Sequence, residues 1–268
     1  MGPGPARDPG RPGRMFCRRA SLIAPGARLH WGQGGPRERP DGENGMILTL
    51  PEVLTPGELA QIQRLLAGVE FADGRTTAGE HLHRKKQNQQ IPWNHPVMKD
   101  ITALVMQALG RDDTFMSAAQ PRRLAAMLVS RYQPGMAYGL HVDAAVMGAP
   151  NHVRSDVSFT IFLSDPDSYQ GGELAFEHGS GEMALKLPAR SAICYPTGQL
   201  HRVRPVESGE RIAIVGWVQS LVREPAMREM LHDLSAARTQ LTGLEGAERA
   251  LELVNKCYSN LLRRTAEP

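Results

Sequence analysis

From residue 122 onward, turn signals divide the sequence into short apolar runs, and this pattern restricts the possible folds more than any other feature. The turn signals include Asp165-Pro166, Gly171-Gly172, Gly179-Ser180-Gly181, Pro188 and Ser208-Gly209. Several short strands at such spacing are typical of a β-sandwich or a β-barrel. The runs that predict strands are 124–132, 157–163, 172–176, 182–187, 191–195, 201–206 and 211–219.

Helical patterns flank the predicted strands. Thr55-Pro56-Gly57-Glu58 forms a capping box, with an N-cap, a proline at the first helical position and a glutamate at the third. A second helix is expected from about Pro96 to Leu109, with Gly110 at its end. Two later apolar stripes predict further helices: Met227, Met230, Leu231 and Leu234, then Leu251, Val254, Tyr258 and Leu261. The predicted fold is mainly β with flanking helices: a double-stranded β-helix (jelly-roll or cupin-like) core with N-terminal helices and a C-terminal helical segment.

The first 45 residues have a different composition, with 10 Gly and 7 Pro and little apolar periodicity. Such a segment buries too little apolar surface to offset the entropy lost on ordering, so it is predicted to be disordered. The predicted organisation is therefore a disordered extension at 1–45, a jelly-roll domain at 46–222 and a helical segment at 223–268.

Composition and charge exclude several classes of protein. No apolar run approaches the roughly 20 residues that span a bilayer, so no membrane association is expected. The formal net charge is +3, but residues 1–45 carry +4, which leaves −1 for the rest and predicts no nucleic-acid binding. Cys17, Cys194 and Cys257 show no C-x-x-C spacing, which fits a reducing compartment and predicts a cytoplasmic protein.

The tripeptide His141-Val142-Asp143 is the first candidate for a functional site. In an extended strand, residues two apart point to the same face, so this imidazole and this carboxylate could share a metal ion. His201, on a later strand, would complete a 2-His-1-carboxylate triad, which is typical of non-haem Fe(II) oxygenases and leaves three coordination positions open. The alternative is a His and an Asp on a solvated strand face.

Arg211 begins an apolar run that continues to Trp217 and is predicted to be a buried strand with one positive charge. Its guanidinium could hold a dicarboxylate through a bidentate pair. If this strand and that of His201 are antiparallel neighbours, Arg211 would lie beside the metal. The alternative is an ion pair of Arg211 with Asp156 or Glu173.

A second pair of histidines, His81 and His83, has the same spacing as His141 and Asp143. It is followed by the basic residues 84–86 and has no carboxylate in a matching context, which favours a solvated loop over a metal site. The polar residues that could line a path for a substrate are Lys86, Asn88, Gln89 and Gln90.

The spaced motifs resemble the bacterial PKHD-type hydroxylases, which are Fe(II)- and 2-oxoglutarate-dependent oxygenases related to prolyl hydroxylases and are often found with iron–siderophore uptake. The resemblance extends from about Met46 to the C-terminus. The motifs that carry it are Arg131-Tyr132, Tyr138-Gly139-x-His141-Val142-Asp143, Phe162-Leu163-Ser164-Asp165-Pro166, Gly171-Gly172-Glu173-Leu174, Tyr195-Pro196, Leu200-His201 and Arg211. The resemblance implies that His141, Asp143 and His201 ligate iron, that Arg211 binds the distal carboxylate of 2-oxoglutarate, and that Tyr132 helps to hold this cosubstrate.

The resemblance also implies the reaction: a small-molecule or peptide substrate is hydroxylated with O2 while 2-oxoglutarate is converted to succinate and CO2, with L-ascorbate as a further cofactor. One residue departs from many enzymes of the wider family. Ala213 stands two residues after Arg211, where a Ser or Thr is common. A second hydrogen bond to the distal carboxylate must therefore come from elsewhere.

Two other classes of function stay open from the sequence. A non-catalytic jelly-roll module could bind a metal or a small ligand, and a bound zinc ion would favour it because zinc is redox-inert. A structural scaffold could be built on the C-terminal helices, which could also join subunits into a homo-oligomer.

Overall fold

The computed structural model describes residues 1–2, 46–77, 83–92, 94–148, 152–179 and 181–268. The helices are α1 (Pro56–Leu66), α2 (Val97–Arg111), α3 (Asp113–Ala119), α4 (Pro225–Leu241) and α5 (Glu248–Thr265). The strands are β1 (Leu48–Leu50), β2 (Ala72–Asp73), β3 (Lys86–Gln87), β4 (Gln89–Ile91), β5 (Pro121–Tyr132), β6 (Ala137–His141), β7 (Val146–Met147), β8 (Val153–Arg154), β9 (Val157–Phe162), β10 (Tyr169–Gly171), β11 (Leu174–His178), β12 (Gly181–Leu185), β13 (Ala192–Pro196), β14 (His201–Val203), β15 (Val206–Gly209) and β16 (Arg211–Ser220). Residues 3–45, which include nearly all of the predicted disordered extension, lie outside the described residues.

Two antiparallel sheets form the framework. One has seven strands in the order β1-β13-β9-β16-β5-β4-β2, and the other has five in the order β12-β11-β14-β6-β3. Along the chain the long strands alternate between them: β5, β9, β13 and β16 belong to the first sheet, and β6, β11, β12 and β14 to the second. This alternation is that of a double-stranded β-helix, so the predicted fold class is confirmed.

The side chains of the seven-stranded sheet divide between two hydrophobic clusters, because successive residues of a strand point to opposite faces. In β16, Ile212 and Ile214 belong to the cluster that packs under α1, α2 and α3. The second cluster contains residues of both sheets, among them Tyr132, Phe176 and Tyr195. The odd-numbered residues of β16 therefore face the interior between the two sheets.

Most predicted elements are present, but some boundaries differ. The capping box of α1 is confirmed, since the Glu58 amide donates to Thr55 Oγ1 and the Thr55 amide donates to Glu58 Oε2. The predicted end of α2 at Gly110 is wrong: α2 continues to Arg111. The side chain of Asp112 then accepts from the Phe115 amide at 2.7 Å and starts α3, which the sequence did not predict. The run predicted as one strand at 201–206 is divided between β14 and β15.

Of the C-terminal helices, α4 packs against α3 and α5 packs against α4. The start of α4 is attached to the end of β16. The buried guanidinium of Arg228 donates to the carbonyl oxygens of Val222 and Arg223 at 2.8 and 2.6 Å. The predicted apolar stripe of α4 is only partly correct, because Leu231 is buried whereas Met230 is exposed. The division at 222 and 223 stays a prediction. Among the described helices, none is long and apolar enough to cross a membrane.

Gly216 of β16 lies opposite Phe159 on the neighbouring antiparallel strand β9. Substitution of Gly216 tests the packing of this sheet. A Cβ atom at Gly216 would lie 2.2 Å from Phe159 Cζ, whose ring packs edge-on against Phe115. We expect Gly216→Ala to lower the free energy of unfolding by about 1–3 kcal/mol through overpacking, measured by urea denaturation. The control is Gly110→Ala in the exposed last turn of α2, where a Cβ meets nothing within 4 Å. Gly110→Ala should raise the free energy of unfolding by up to about 1 kcal/mol, because alanine has a higher helix propensity than glycine. Equal stability of the two variants would contradict the prediction.

Candidate active site

His141 and His201 are direct register partners on the neighbouring strands β6 and β14, and Asp143 follows two residues after the end of β6. The nearer carboxylate oxygen of Asp143, Oδ1, lies 3.6 Å from His141 Nε2 and 3.8 Å from His201 Nε2. The three possible ligand atoms lie within 4.8 Å of one another. All three side chains are less than 10% exposed, so they converge on one point in the interior.

The position of Asp143 corrects the sequence interpretation, which placed His141 and Asp143 on one strand face. Asp143 lies beyond the strand, and its orientation depends on the opposite sheet instead. Its second oxygen, Oδ2, accepts hydrogen bonds from Ser158 Oγ of β9 and Trp217 Nε1 of β16, both at 2.8 Å. These two donors fix the carboxylate plane and turn Oδ1 toward the imidazoles.

Backbone carbonyl oxygens fix the orientation of both histidine rings. His141 Nδ1 lies 2.8 Å from the Gly139 oxygen, and His201 Nδ1 lies 2.9 Å from the Gln199 oxygen. Because a carbonyl oxygen can only accept, each Nδ1 carries the proton and each Nε2 presents a lone pair to the centre of the cluster. The Tyr138 ring stacks on His141 with 3.6 Å between the ring centres.

The surroundings set charge states that suit a divalent metal. Burial raises the pKa of Asp143, but the neighbouring His141 and His201 and the Trp217 indole lower it further, to about 2. Burial lowers the pKa of His201, and the Asp143 charge only partly opposes this. At neutral pH the site therefore offers an ionised carboxylate and a neutral imidazole, which are the protonation states that bind metals.

Arg211 lies on the interior face of β16, opposite Tyr132 of β5, and is only 1% exposed. Its guanidinium carbon is 5.3 Å from the ring centres of both Tyr132 and Phe162. The expectation that Arg211 and His201 lie on neighbouring strands is wrong: β14 belongs to the five-stranded sheet and β16 to the seven-stranded one. Arg211 faces the interior from the sheet opposite His201.

Neither of the two acidic residues proposed as alternative partners pairs with Arg211. Asp156 pairs with Arg154 at 2.7 Å, and within the described part of the chain Glu173 forms no ion pair with Arg211. The buried Nε of Arg211 has no hydrogen-bond partner there. A buried charge without a counter-ion costs on the order of several kcal/mol. This guanidinium therefore suits an anionic ligand.

Two residues near the cluster, Ser158 and Trp217, were not assigned roles from the sequence, whereas Lys86 was predicted to line a path for a substrate. Ser158 and Trp217 hold Asp143, and Trp217 could have been found because it shares the period-two face of Arg211. Lys86 is opposite Tyr138 in register, and its Nζ lies 5.3 Å from the centre of that ring. Burial lowers the pKa of Lys86 to about 8, against the opposing charge of Asp143. His81, of the second histidine pair, lies outside the described residues.

The donor set of two imidazoles and one carboxylate fits Fe(II), and the buried guanidinium fits a dicarboxylate. A model of the 2OG-Fe(II) oxygenase superfamily matches residues 127–219, which include the three clustered residues, Tyr132 and Arg211. Together with the double-stranded β-helix, this match defines the protein as a 2-oxoglutarate-dependent dioxygenase.

Curated relatives specify the family. A PKHD-type hydroxylase of Synechococcus elongatus is 48% identical over 223 residues, which cover 83% of this chain and 100% of the relative. A PKHD-type hydroxylase of Acaryochloris marina is 48% identical over 222 residues, with the same two coverages. The chain therefore belongs to the PKHD-type hydroxylases.

Solved structures with a similar fold are more distant. A 2OG-Fe(II) oxygenase family oxidoreductase from Burkholderia pseudomallei is 20% identical, with a TM-score of 0.49 over 64% of this chain and 84% of that chain. A prolyl-4-hydroxylase from Pseudomonas putida is 19% identical, with a TM-score of 0.44 over 65% and 93% of the two chains. Family membership therefore rests on the sequence relatives.

Removal of one hydrogen bond to Asp143 tests whether this network supports metal binding. We expect Ser158→Ala to lower Fe(II) affinity by about tenfold or more, because the carboxylate loses one of the two donors that orient it. Competition with a chromogenic chelator under anaerobic conditions measures this affinity. The control is Ser130→Ala, which removes a buried hydroxyl of the same sheet that donates to the Ala213 carbonyl at 3.2 Å. Equal metal affinity of the two variants would show that Ser158 does not orient Asp143.

Proposed function

We propose that the protein uses Fe(II), held by His141, Asp143 and His201, to couple the conversion of 2-oxoglutarate and O2 into succinate and CO2 to the hydroxylation of a second substrate. The observation that carries this proposal is the convergence of the three side chains on one point. Each of them is turned toward that point by a hydrogen bond on its other side. Such orientation from a second layer of residues is typical of metal sites.

The protein's own residues bind and orient the reactants. When bound, Fe(II) would supply the redox chemistry that activates O2. Arg211 would hold the distal carboxylate of 2-oxoglutarate through charge-assisted hydrogen bonds inside the sandwich, where water does not compete. Tyr132, whose ring centre lies 5.3 Å from the guanidinium carbon of Arg211, would form one wall of the same site.

The remaining features of the function come from the family resemblance and from charge. Lys86 Nζ donates to Gln90 Oε1 at 3.3 Å and lies 5.3 Å from the centre of the Tyr138 ring, and its positive charge favours a substrate with a polar or anionic group. A small-molecule or peptide substrate, stimulation by L-ascorbate and a link to iron–siderophore uptake are part of the proposal. A cytoplasmic location and a homo-oligomer through the C-terminal helices stay predictions.

Succinate formation from 2-oxoglutarate is the central test. With Fe(II) and O2, the wild-type protein should form succinate, and slow uncoupled turnover suffices when no substrate is supplied. Asp143→Ala should abolish both metal binding and succinate formation. The control is Asp167→Ala, an exposed carboxylate in the turn before β10, which should retain both. A wild-type protein that binds Fe(II) and 2-oxoglutarate but forms no succinate would support the non-catalytic ligand-binding module instead.

The role of Arg211 predicts a separation of cosubstrate binding from metal binding. Arg211→Met should raise the KM for 2-oxoglutarate by at least about tenfold, since charge-assisted hydrogen bonds are lost, and should change Fe(II) affinity by less than about twofold. The variant should be no less stable than the wild type, because it removes a buried charge that has no acidic partner within the described residues and keeps an apolar side chain between the two aromatic rings.

Arg228→Met is the matched control for this prediction, since Arg228 is equally buried but bonds to backbone carbonyl oxygens. That variant should lose stability in thermal denaturation and keep the wild-type KM for 2-oxoglutarate. Equal loss of iron and 2-oxoglutarate binding in Arg211→Met would contradict the role assigned to Arg211.

A further inference from the structure

Two buried polar groups without a partner lie at the same end of the interior. Within the described part of the chain, four buried side-chain atoms have no hydrogen-bond partner, and two of them are Arg211 Nε and the hydroxyl oxygen of Tyr169. Tyr169, the first residue of β10, is only 1% exposed. A buried hydroxyl without a partner costs about 1–3 kcal/mol, so the fold keeps Tyr169 in place against an energetic penalty.

Gly172 brings these two side chains together. Its φ of +69° is a conformation that favours glycine, and a Cβ there would lie 3.1 Å from Tyr169 Cε2 and 3.2 Å from Arg211 Cδ. Both side chains therefore pack against one point of the backbone. The carbon of Tyr169 that approaches this point is adjacent to the one that bears the hydroxyl, and the hydroxyl is close enough to Arg211 for this charge to lower its pKa.

The chain holds the Tyr169 ring firmly in this position. In register, Tyr169 is opposite Gly209 of β15, and a Cβ at Gly209 would lie 2.7 Å from the Tyr169 Cα, so only glycine permits this close approach. On the other side, Lys186 Nζ lies 3.9 Å from the ring centre and donates to the Tyr169 carbonyl oxygen. Burial raises the pKa of Tyr169, while the Arg211 charge lowers it less, so the hydroxyl keeps its proton at neutral pH.

We propose that the Tyr169 hydroxyl donates the second hydrogen bond to the distal carboxylate of 2-oxoglutarate, beside the guanidinium of Arg211. The inference rests on the proposed function and specifies it, because it makes Tyr169 a residue that selects keto acids with a second carboxylate. Ala213 has no donor for this bond. Within the described residues, the buried hydroxyl of Tyr169 meets no hydrogen-bond acceptor and lies close enough to Arg211 for that charge to lower its pKa, so its O–H is available to donate to a ligand beside the guanidinium.

The test uses Tyr169→Phe, which removes the hydroxyl alone. Titration calorimetry on nickel-loaded protein measures 2-oxoglutarate binding without turnover. We expect the Kd for 2-oxoglutarate to rise by about tenfold, the usual effect of one lost hydrogen bond to a charged group, with unchanged nickel affinity. The melting temperature of the ligand-free variant should equal or exceed that of the wild type, because the lost hydroxyl had no partner. A hydroxyl with a structural role would instead lower the melting temperature and leave the Kd unchanged.

Two controls separate the hydroxyl from other effects. Tyr258→Phe removes a hydroxyl of α5 that bonds to Gln120, and should leave the Kd for 2-oxoglutarate unchanged. The probe 2-oxopentanoate has the same carbon chain without the distal carboxylate, so wild type and Tyr169→Phe should bind it equally weakly. A Tyr169→Phe variant with the wild-type Kd for 2-oxoglutarate would overturn this inference but not the proposed function. A wild-type protein that binds no 2-oxoglutarate would overturn the proposed function, and the inference with it.

Discussion

The Asp143 carboxylate joins the two sheets at the candidate active site, and the geometry of the site depends on it. One oxygen accepts from Ser158 and Trp217 of the seven-stranded sheet, while the other faces the imidazoles of the five-stranded sheet. Without the first two contacts, a carboxylate in a segment outside regular structure would have no fixed orientation. Because each oxygen of this carboxylate contacts residues of a different sheet, the distance between the two sheets determines how far the possible ligand atoms lie from one another.

Unsatisfied polar groups are the second constraint on this interior. Within the part of the chain that the structure describes, Arg211 Nε and the Tyr169 hydroxyl are buried without a hydrogen-bond partner. Stability alone would favour apolar residues of similar volume at these positions, as replacements of buried charges in other proteins have shown. Their presence is explained if a dianionic ligand completes the interior, in which case binding of the ligand removes the energetic penalty. The protein should therefore be most stable in the complex, since a ligand that binds only the folded state stabilises it.

Local sequence patterns predicted the strands, the capping box and the residues of the cluster, because turn signals, N-caps and the spacing of His141 and Asp143 act over a few residues. The pairing of strands depends on contacts between distant segments. For this reason Arg211 and His201 were predicted to lie on neighbouring strands, although the two residues belong to opposite sheets. Ser158 was missed because a serine in an apolar strand has no pattern that identifies it as the partner of a distant carboxylate. Trp217 was missed although its even spacing from Arg211 predicts that both side chains lie on one face of the strand.

The alternation of the strands between the two sheets has a consequence for folding. The cluster needs β6, β9, β14 and β16, which are spread over about eighty residues, so no local segment contains a binding site for the metal. Folds with such high contact order form slowly, because long loops must close before distant strands pair. A metal ion held by this cluster would therefore bind late in folding, after these distant strands have paired.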